Sequence, residues 1–189
     1  MTNGVNGYKF GSEENGPAEY VYGDVWAREQ TTGPVRLVIA PARAQIELIT
    51  HLMQSMPAPY WILYVLLVSR TDAKPGRYQV PFPLEYAETE NLLRRFSDFF
   101  ETDARHHLWV GAEDNSDLLV YDNHNLIYAY GNISNFEQVL CREGLQQVDG
   151  IRFPCPHSHS YHPQFDSAEW EVLRSHEWKY FPLQDSDDL

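Results

Sequence analysis

Residues 107–131, HLWVGAEDNSDLLVYDNHNLIYAYG, decide the fold. Three runs, Leu108–Val110, Leu118–Tyr121 and Leu126–Tyr130, are dense in the Leu, Val, Ile, Trp and Tyr that suit a pleated, packed backbone. Between them stand Glu113-Asp114-Asn115-Ser116 and Asp122-Asn123-His124-Asn125, residues whose short polar side chains stabilise turns. The stretch therefore predicts a three-stranded meander. Leu118 and Val120 fall on one face of the middle strand and Leu119 and Tyr121 on the other. A strand apolar on both faces is covered on both, either by helices alone or by helices on one side and a partner on the other. The meander is thus expected near the middle of a sheet.

Moving towards the N-terminus, Tyr60–Val68 is nine consecutive apolar residues and predicts a second central strand. Before it, Pro41 is expected to open a helix whose buried stripe is Ile46, Ile49, Leu52, Met53 and Met56. Short strands are expected at Val35–Ala40 and Arg77–Val80, with a first, edge-like strand within Tyr20–Trp26. A second helix is expected over about 85–101, with Leu92, Leu93, Phe96, Phe99 and Phe100 on one face. Beyond the meander, Ser134 with Glu137 reads as a capping box opening a third helix that Gly144 ends. Val148–Phe153 reads as a strand, Asp166 with Glu169 as the cap of a last helix, and Trp178–Phe181 as a final strand or packed tail. Strands joined by tight turns, with helices between groups of them, predict an α+β fold. The expectation is one domain over 19–184, a mostly antiparallel sheet with about four helices packed on it. Residues 1–18 are expected to form a flexible arm and 185–189 an acidic tail.

Composition narrows the class. At 189 residues and 43% hydrophobic the chain can bury its own core. A formal charge of −13 disfavours phosphate-backbone binding, and the basic residues do not cluster beyond Arg94-Arg95, so no nucleic-acid partner is expected. The same field suits a basic protein partner, and the aromatic content, 14%, suits a contact surface. The first residues carry no apolar signal core, and no run is long enough to cross a bilayer. No membrane association and a cytoplasmic location are the expectation. Cys141 and Cys155 form neither a CxxC pair nor a disulfide framework.

One loop carries chemistry. Pro154–Pro163 holds Cys155, His157, His159 and His162, and thiolate and neutral imidazole are the usual ligands of zinc. In an extended segment His157 and His159 point the same way, and His162 could return across a turn. His106, His107, His124 and Asp122 are further donors from elsewhere. The spacing matches no established metal motif, and an exposed polar loop accounts for the same residues without a ligand. Cys155 with His157 has the residue types of a thiol–imidazole pair, but neighbours two apart on a strand seldom reach nucleophile–base geometry. Asp114–Asp117 lacks the glycine and distal glutamate of a calcium loop. There is no P-loop, GxGxxG or GxSxG. Two functions follow as expectations. The first is a non-enzymatic protein-interaction module, for instance an inhibitor of a basic partner in the manner of immunity proteins. The alternative is a metal-dependent hydrolase using loop 155–162 and zinc.

Overall fold

A computed structural model describes residues 7–14 and 18–187. The expected α+β architecture is what the chain adopts: among the described residues there are five α-helices and a large, mostly antiparallel sheet. The main sheet contains β3 (Val25–Glu29), β4 (Arg36–Ala40), β5 (Tyr60–Leu66), β6 (Gly76–Gln79), β7 (His106–Ala112), β8 (Leu118–Tyr121), β9 (Ile127–Tyr130), β10 (Gln146–Gln147) and β12 (Lys179–Phe181). Its order is β10-β3-β4-β9-β8-β7-β5-β6-β12, so the meander β7–β9 does sit at the centre, with β5 beside it. Among the described residues of this sheet only the β10–β3 pair is parallel. A second, smaller sheet of β11 (His157–His159), β1 (Phe10–Ser12) and β2 (Ala18–Glu19) has the order β11-β1-β2.

The two-residue period of each strand sorts the core. Tyr60, Ile62, Tyr64, Leu66, Leu108, Val110, Leu119, Tyr121, Ile127 and Ala129 belong to the main core under the helices. Those helices are α1 (Gln45–Met53), α2 (Tyr86–Arg95), α3 (Ser97–Thr102), α4 (Ile133–Arg142) and α5 (Asp166–Ser175). On the back face the small sheet covers only part of the main one, through a second cluster of Phe10, Tyr22, Ala40 and Leu126. Further along that face Trp61, Leu63, Trp109, Gly111 and Leu118 line an open groove of about 460 Å³.

Several local expectations are corrected. Phe10 is fully buried and β1 pairs with both of its neighbours, so residues 8–14 are not a free arm. Residues 1–6 and 15–17 of that expected arm, and 188–189 of the expected acidic tail, lie outside the described residues. Asp187 of that tail is buried beside Arg77 at 3.8 Å. Helix α1 starts at Gln45 rather than at Pro41, because Ala44 is left-handed and the Asp24 carboxylate holds the Ala42 N–H at 2.7 Å in the preceding bend. Its open first turn is served from outside, by Glu101 accepting from the Ile46 N–H at 2.7 Å. The expected helix 85–101 breaks at Phe96, where the backbone leaves helical geometry (φ −111°), and α3 carries Phe99 and Phe100 against the buried ring of His106. Val148–Phe153 forms no strand; β10 ends at Gln147, and the last bond to β3 is the Val148 N–H donating to the Trp26 carbonyl at 2.9 Å.

The cap of α4 is Asn132, not Ser134: its side chain accepts from the Asn135 N–H at 3.3 Å. Asn132→Ala should lower stability by about 1 kcal/mol in denaturant melts, whereas Ser134→Ala should be nearly silent. Just before it, Gly131 has φ +115°, and a Cβ there would collide with Asp117 and the Ser116 carbonyl. Asp166 and Glu169 do not form a capping box either. Both carboxylates face Arg105, which is buried between them and Asp103.

Lys9, one residue before β1, is also buried. Its Nζ donates to the Phe100 carbonyl at 3.0 Å and lies 3.8 Å from the centre of the Tyr121 ring. Burial pushes its pKa down to about 7, only partly opposed by Asp122, Asp103 and Glu101. Between that value and the ordinary lysine range the unfolded chain holds a proton that the folded chain lacks. Stability should therefore rise from pH 7 to pH 10, by an amount on the order of a few kcal/mol. Lys9→Met should flatten that slope in denaturant titrations; an unchanged slope would show that Lys9 is charged as it folds.

Candidate metal centre

The candidate centre is built where the β8–β9 turn of the main sheet meets the small sheet. The turn is locked by one carboxylate. Asp122 Oδ1 accepts from the backbone N–H groups of His124 and Leu126, each at 2.9 Å, while Asn125 takes the left-handed conformation (φ 63°) that asparagine tolerates. Asp122 Oδ2 lies 3.1 Å from His124 Nδ1. With Nδ1 engaged, the other ring nitrogen, Nε2, is the one left for a ligand. Burial pushes the Asp122 carboxyl upward, but the hydrogen bond and charge of His124, with further help from His107 and the Leu126 N–H, hold it below the usual range. Asp122 is thus an anion fixed behind an imidazole, the arrangement that orients metal-binding histidines and raises their basicity.

His157 and His159 come from β11. Two residues apart on one strand, they lie on the same face and meet His124 there. Ring centroids are 4.7 Å apart for His124–His159 and 5.4 Å apart for both His124–His157 and His157–His159. One nitrogen from each of the three lies within 4.8 Å of the other two. Around tetrahedral zinc such nitrogens stand roughly 3.3 Å apart, so binding an ion would draw the three rings together. Strand β1 holds β11 in place, with Phe10 opposite His159 and Ser12 opposite His157. The Phe10 ring contacts all three imidazoles, and Phe153 packs against His124 and His157 at 4.9 and 5.0 Å.

His159 Nε2 is buried and has no hydrogen-bond partner, a cost of about 1–3 kcal/mol if nothing meets it. Burial, then the neighbouring His124 and His157, hold the His159 pKa down to about 4, so its ring is neutral and has a lone pair to give at neutral pH. Cation binding suits these features: a neutral, desolvated nitrogen on His159 and an anion behind His124.

Of the four residues singled out in the loop, the structure brings together His157 and His159 and leaves Cys155 and His162 elsewhere. Cys155 is exposed and outside the cluster. His162 pins backbone: its N–H donates to Asp103 at 2.7 Å and its Nε2 lies 3.0 Å from the Tyr8 carbonyl. The third imidazole is His124, one of the more distant donors. His106 is buried among Phe99, Phe100 and Tyr64 on the opposite face of the sheet. The Asp-x-His of 122–124 was the available signal; turn composition identified the turn, but nothing in the spacing placed it against β11.

The centre thus defines an α+β protein with three converging imidazoles and a carboxylate behind one of them. No protein-family model matches the chain, and neither a curated protein nor a solved structure matches it. No helix among the described residues is long and apolar enough to cross a membrane.

Proposed function

We propose that the chain binds a divalent transition metal, zinc in the first instance, through His124, His157 and His159, and that it uses the ion for hydrolysis. The supporting observation is that one ring nitrogen from each of His124, His157 and His159 lies within 4.8 Å of the others, and that His159 Nε2 is buried without a hydrogen-bond partner. Three protein ligands leave a fourth position, which is the pattern of catalytic rather than structural zinc. Bound there, the ion would supply a water that ionises near pH 7 and a charge to polarise a carbonyl or phosphoryl oxygen. The residues of the chain do the positioning. Asp122 fixes the His124 ring, β1 fixes the spacing of His157 and His159, and Phe10 and Phe153 limit water around them. Elemental analysis of tag-free protein, then zinc titration of the chelator-treated form, tests this. One ion per chain is expected, lost in His157→Ala/His159→Ala and retained in Cys155→Ser. Affinity weaker than micromolar in the intact chain would end the proposal.

A second reading is carried by the open half of the back face. Trp61, Leu63, Trp109 and Leu118 are only partly buried and line one groove, and Glu113 and Asp114 stand exposed on the hairpin beside it. Aromatic anchors beside exposed acids suit a basic protein partner, although one cation, Arg77, already lies over the Trp109 ring at 5.3 Å. Binding of such a partner should weaken as salt rises, and Trp109→Ala should cost it about 2 kcal/mol or more. Salt-insensitive association would rule out the electrostatic form of this reading.

A further inference from the structure

The open groove on the back face contains none of the candidate metal ligands, and its polar groups point to a different guest. Trp61 of β5 stands opposite Gly111 of β7, and Trp109, two residues before that glycine on the same face, stands opposite Leu63. The two indoles therefore border a strip where Gly111 carries no side chain. Polar side chains lie at both ends of it: Gln79, across from Leu63 on β6, and Asn115 with Asp117 on the β7–β8 hairpin. Among the described residues neither the Gln79 nor the Asn115 side-chain amide has a hydrogen-bond partner. Trp109 Nε1 is buried and has none either. Asp117 gives one oxygen to the Asn132 N–H at 2.6 Å. We propose that this groove binds a neutral oligosaccharide of flat, equatorially substituted rings, such as a β-linked glucose chain. The inference is independent of the metal reading, and it names a different occupant from the basic partner weighed for the same groove.

Charge favours an uncharged guest. The Arg77 guanidinium lies over the Trp109 ring at 5.3 Å, and its nearest carboxylate oxygen, on Asp187, is 3.8 Å away. Asp117 stands at the hairpin end. A cation in the groove meets Arg77 and an anion meets Asp117, whereas a neutral guest meets neither cost. The lining then separates sugars from plain hydrocarbons. A side-chain amide both donates and accepts, as a sugar hydroxyl does. A purely apolar guest would cover Gln79, Asn115 and Trp109 Nε1 and leave them unpaired. When every hydroxyl is equatorial, the C–H bonds of a sugar ring form a flat apolar face, which suits the face of an indole. At about 460 Å³ the groove has room for about two such rings, and because it is open a longer chain can run out along the sheet.

Titration of the intact chain with cellotriose, followed by calorimetry and by tryptophan emission, tests this. Binding should saturate below about 10 mM and stay the same as salt rises, since a neutral ligand has no charge to screen. Trp109→Ala should weaken it at least about tenfold, the scale of a lost aromatic anchor. Gly111→Val keeps both indoles and fills the strip between them. A Cβ at that position meets Leu118 Cδ1 at 3.5 Å and the Asp117 carbonyl at 3.9 Å, both ordinary contacts, so the variant should fold and lose the sugar. No saturable binding of cellotriose by about 10 mM, or equal affinity in the unaltered chain, Trp109→Ala and Gly111→Val, would overturn the proposal. A lysine-rich peptide that shifts the tryptophan emission in a salt-dependent manner where cellotriose does not would overturn it in favour of the basic partner. None of these outcomes alters the zinc titration, so the two readings stand or fall separately.

Discussion

Saturating zinc should raise the melting temperature of the metal-stripped protein by roughly 5–10 °C, and His124→Ala should abolish the rise. An ion at a hundred times its dissociation constant adds about 2.7 kcal/mol to the folded state, and a domain of this size shifts by about 2–4 °C per kcal/mol. His124 is the decisive position because it is the only one of the three imidazoles that belongs to the main sheet; His157 and His159 both lie on β11. Without His124 the cluster of three donors found among the described residues is reduced to two rings. Asp122→Asn removes the anion but keeps an oxygen for the turn, and affinity should fall about 10- to 100-fold rather than vanish. Acid works in the same direction as mutation. Protons compete for the lone pairs that hold the ion, so the thermal rise should shrink as pH falls. His159, its pKa held down to about 4 by burial and by the neighbouring imidazoles, keeps its lone pair through the weakly acidic range. A thermal rise that survives in His124→Ala would place the ion somewhere else on the chain.

Arg105→Ala should lower stability by about 3–5 kcal/mol at pH 7, because it strips the counter-charge from carboxylates that are out of water. Arg105, Asp103 and Glu169 are all 0% exposed. The guanidinium donates to Asp103 at 2.8 and 2.9 Å, to Glu169 at 2.6 Å, to Asp166 at 3.2 Å and to the His162 carbonyl at 3.0 Å. Glu169 also accepts from Ser69 and Thr71, each at 2.6 Å. One cation thus ties β7, the 69–71 loop and the start of α5 together. The pH dependence has a definite sign. Burial pushes Glu169 up, but Ser69, Thr71 and Arg105 together hold it below the ordinary carboxylate range. Its contribution is therefore complete above the unfolded glutamate pKa and is lost as pH falls through the lower folded value. Denaturant melts of the two chains should differ most at neutral pH and draw together in acid below the ordinary glutamate range, as Glu169 takes up its proton and no longer needs the cation. A difference under 1 kcal/mol at pH 7 would mean that water reaches Asp103 and Glu169 once the arginine is gone.

The sheet was legible because its signal is local. Turn residues between β-rich runs place the strands of the meander, and a strand apolar on both faces predicts its central position. Helix stripes such as Ile46, Ile49, Leu52 and Met53 are legible for the same reason, since 3.6-residue spacing is a property of neighbours. Helix ends were read less well. Ser134 and Asp166 have the right chemistry for caps, but Asn132 is taken up by its own helix end and Asp166 by two arginines brought in from afar. Strand β1 was missed because three residues in a Gly- and Asn-rich stretch carry almost no pattern; its burial comes from pairing with residues that follow far along the chain. The candidate centre divides along the same line. His157 and His159 share a strand and could be paired from sequence, whereas His124 joins them only through tertiary contact.

The pairing of Phe10 with His159 closes a loop over most of the chain. During synthesis, β3 to β9 can assemble while the C-terminal part is still inside the ribosome, but the small sheet has to wait for residue 159. Ends that meet so late in sequence are costly to bring together and form slowly. A chain cut after Gly150 would keep the central strands and lose His157 and His159, two of the three proposed ligands. Metal capture would then mark the completion of the fold rather than its beginning, and a truncated product would be recognisable by its empty hands.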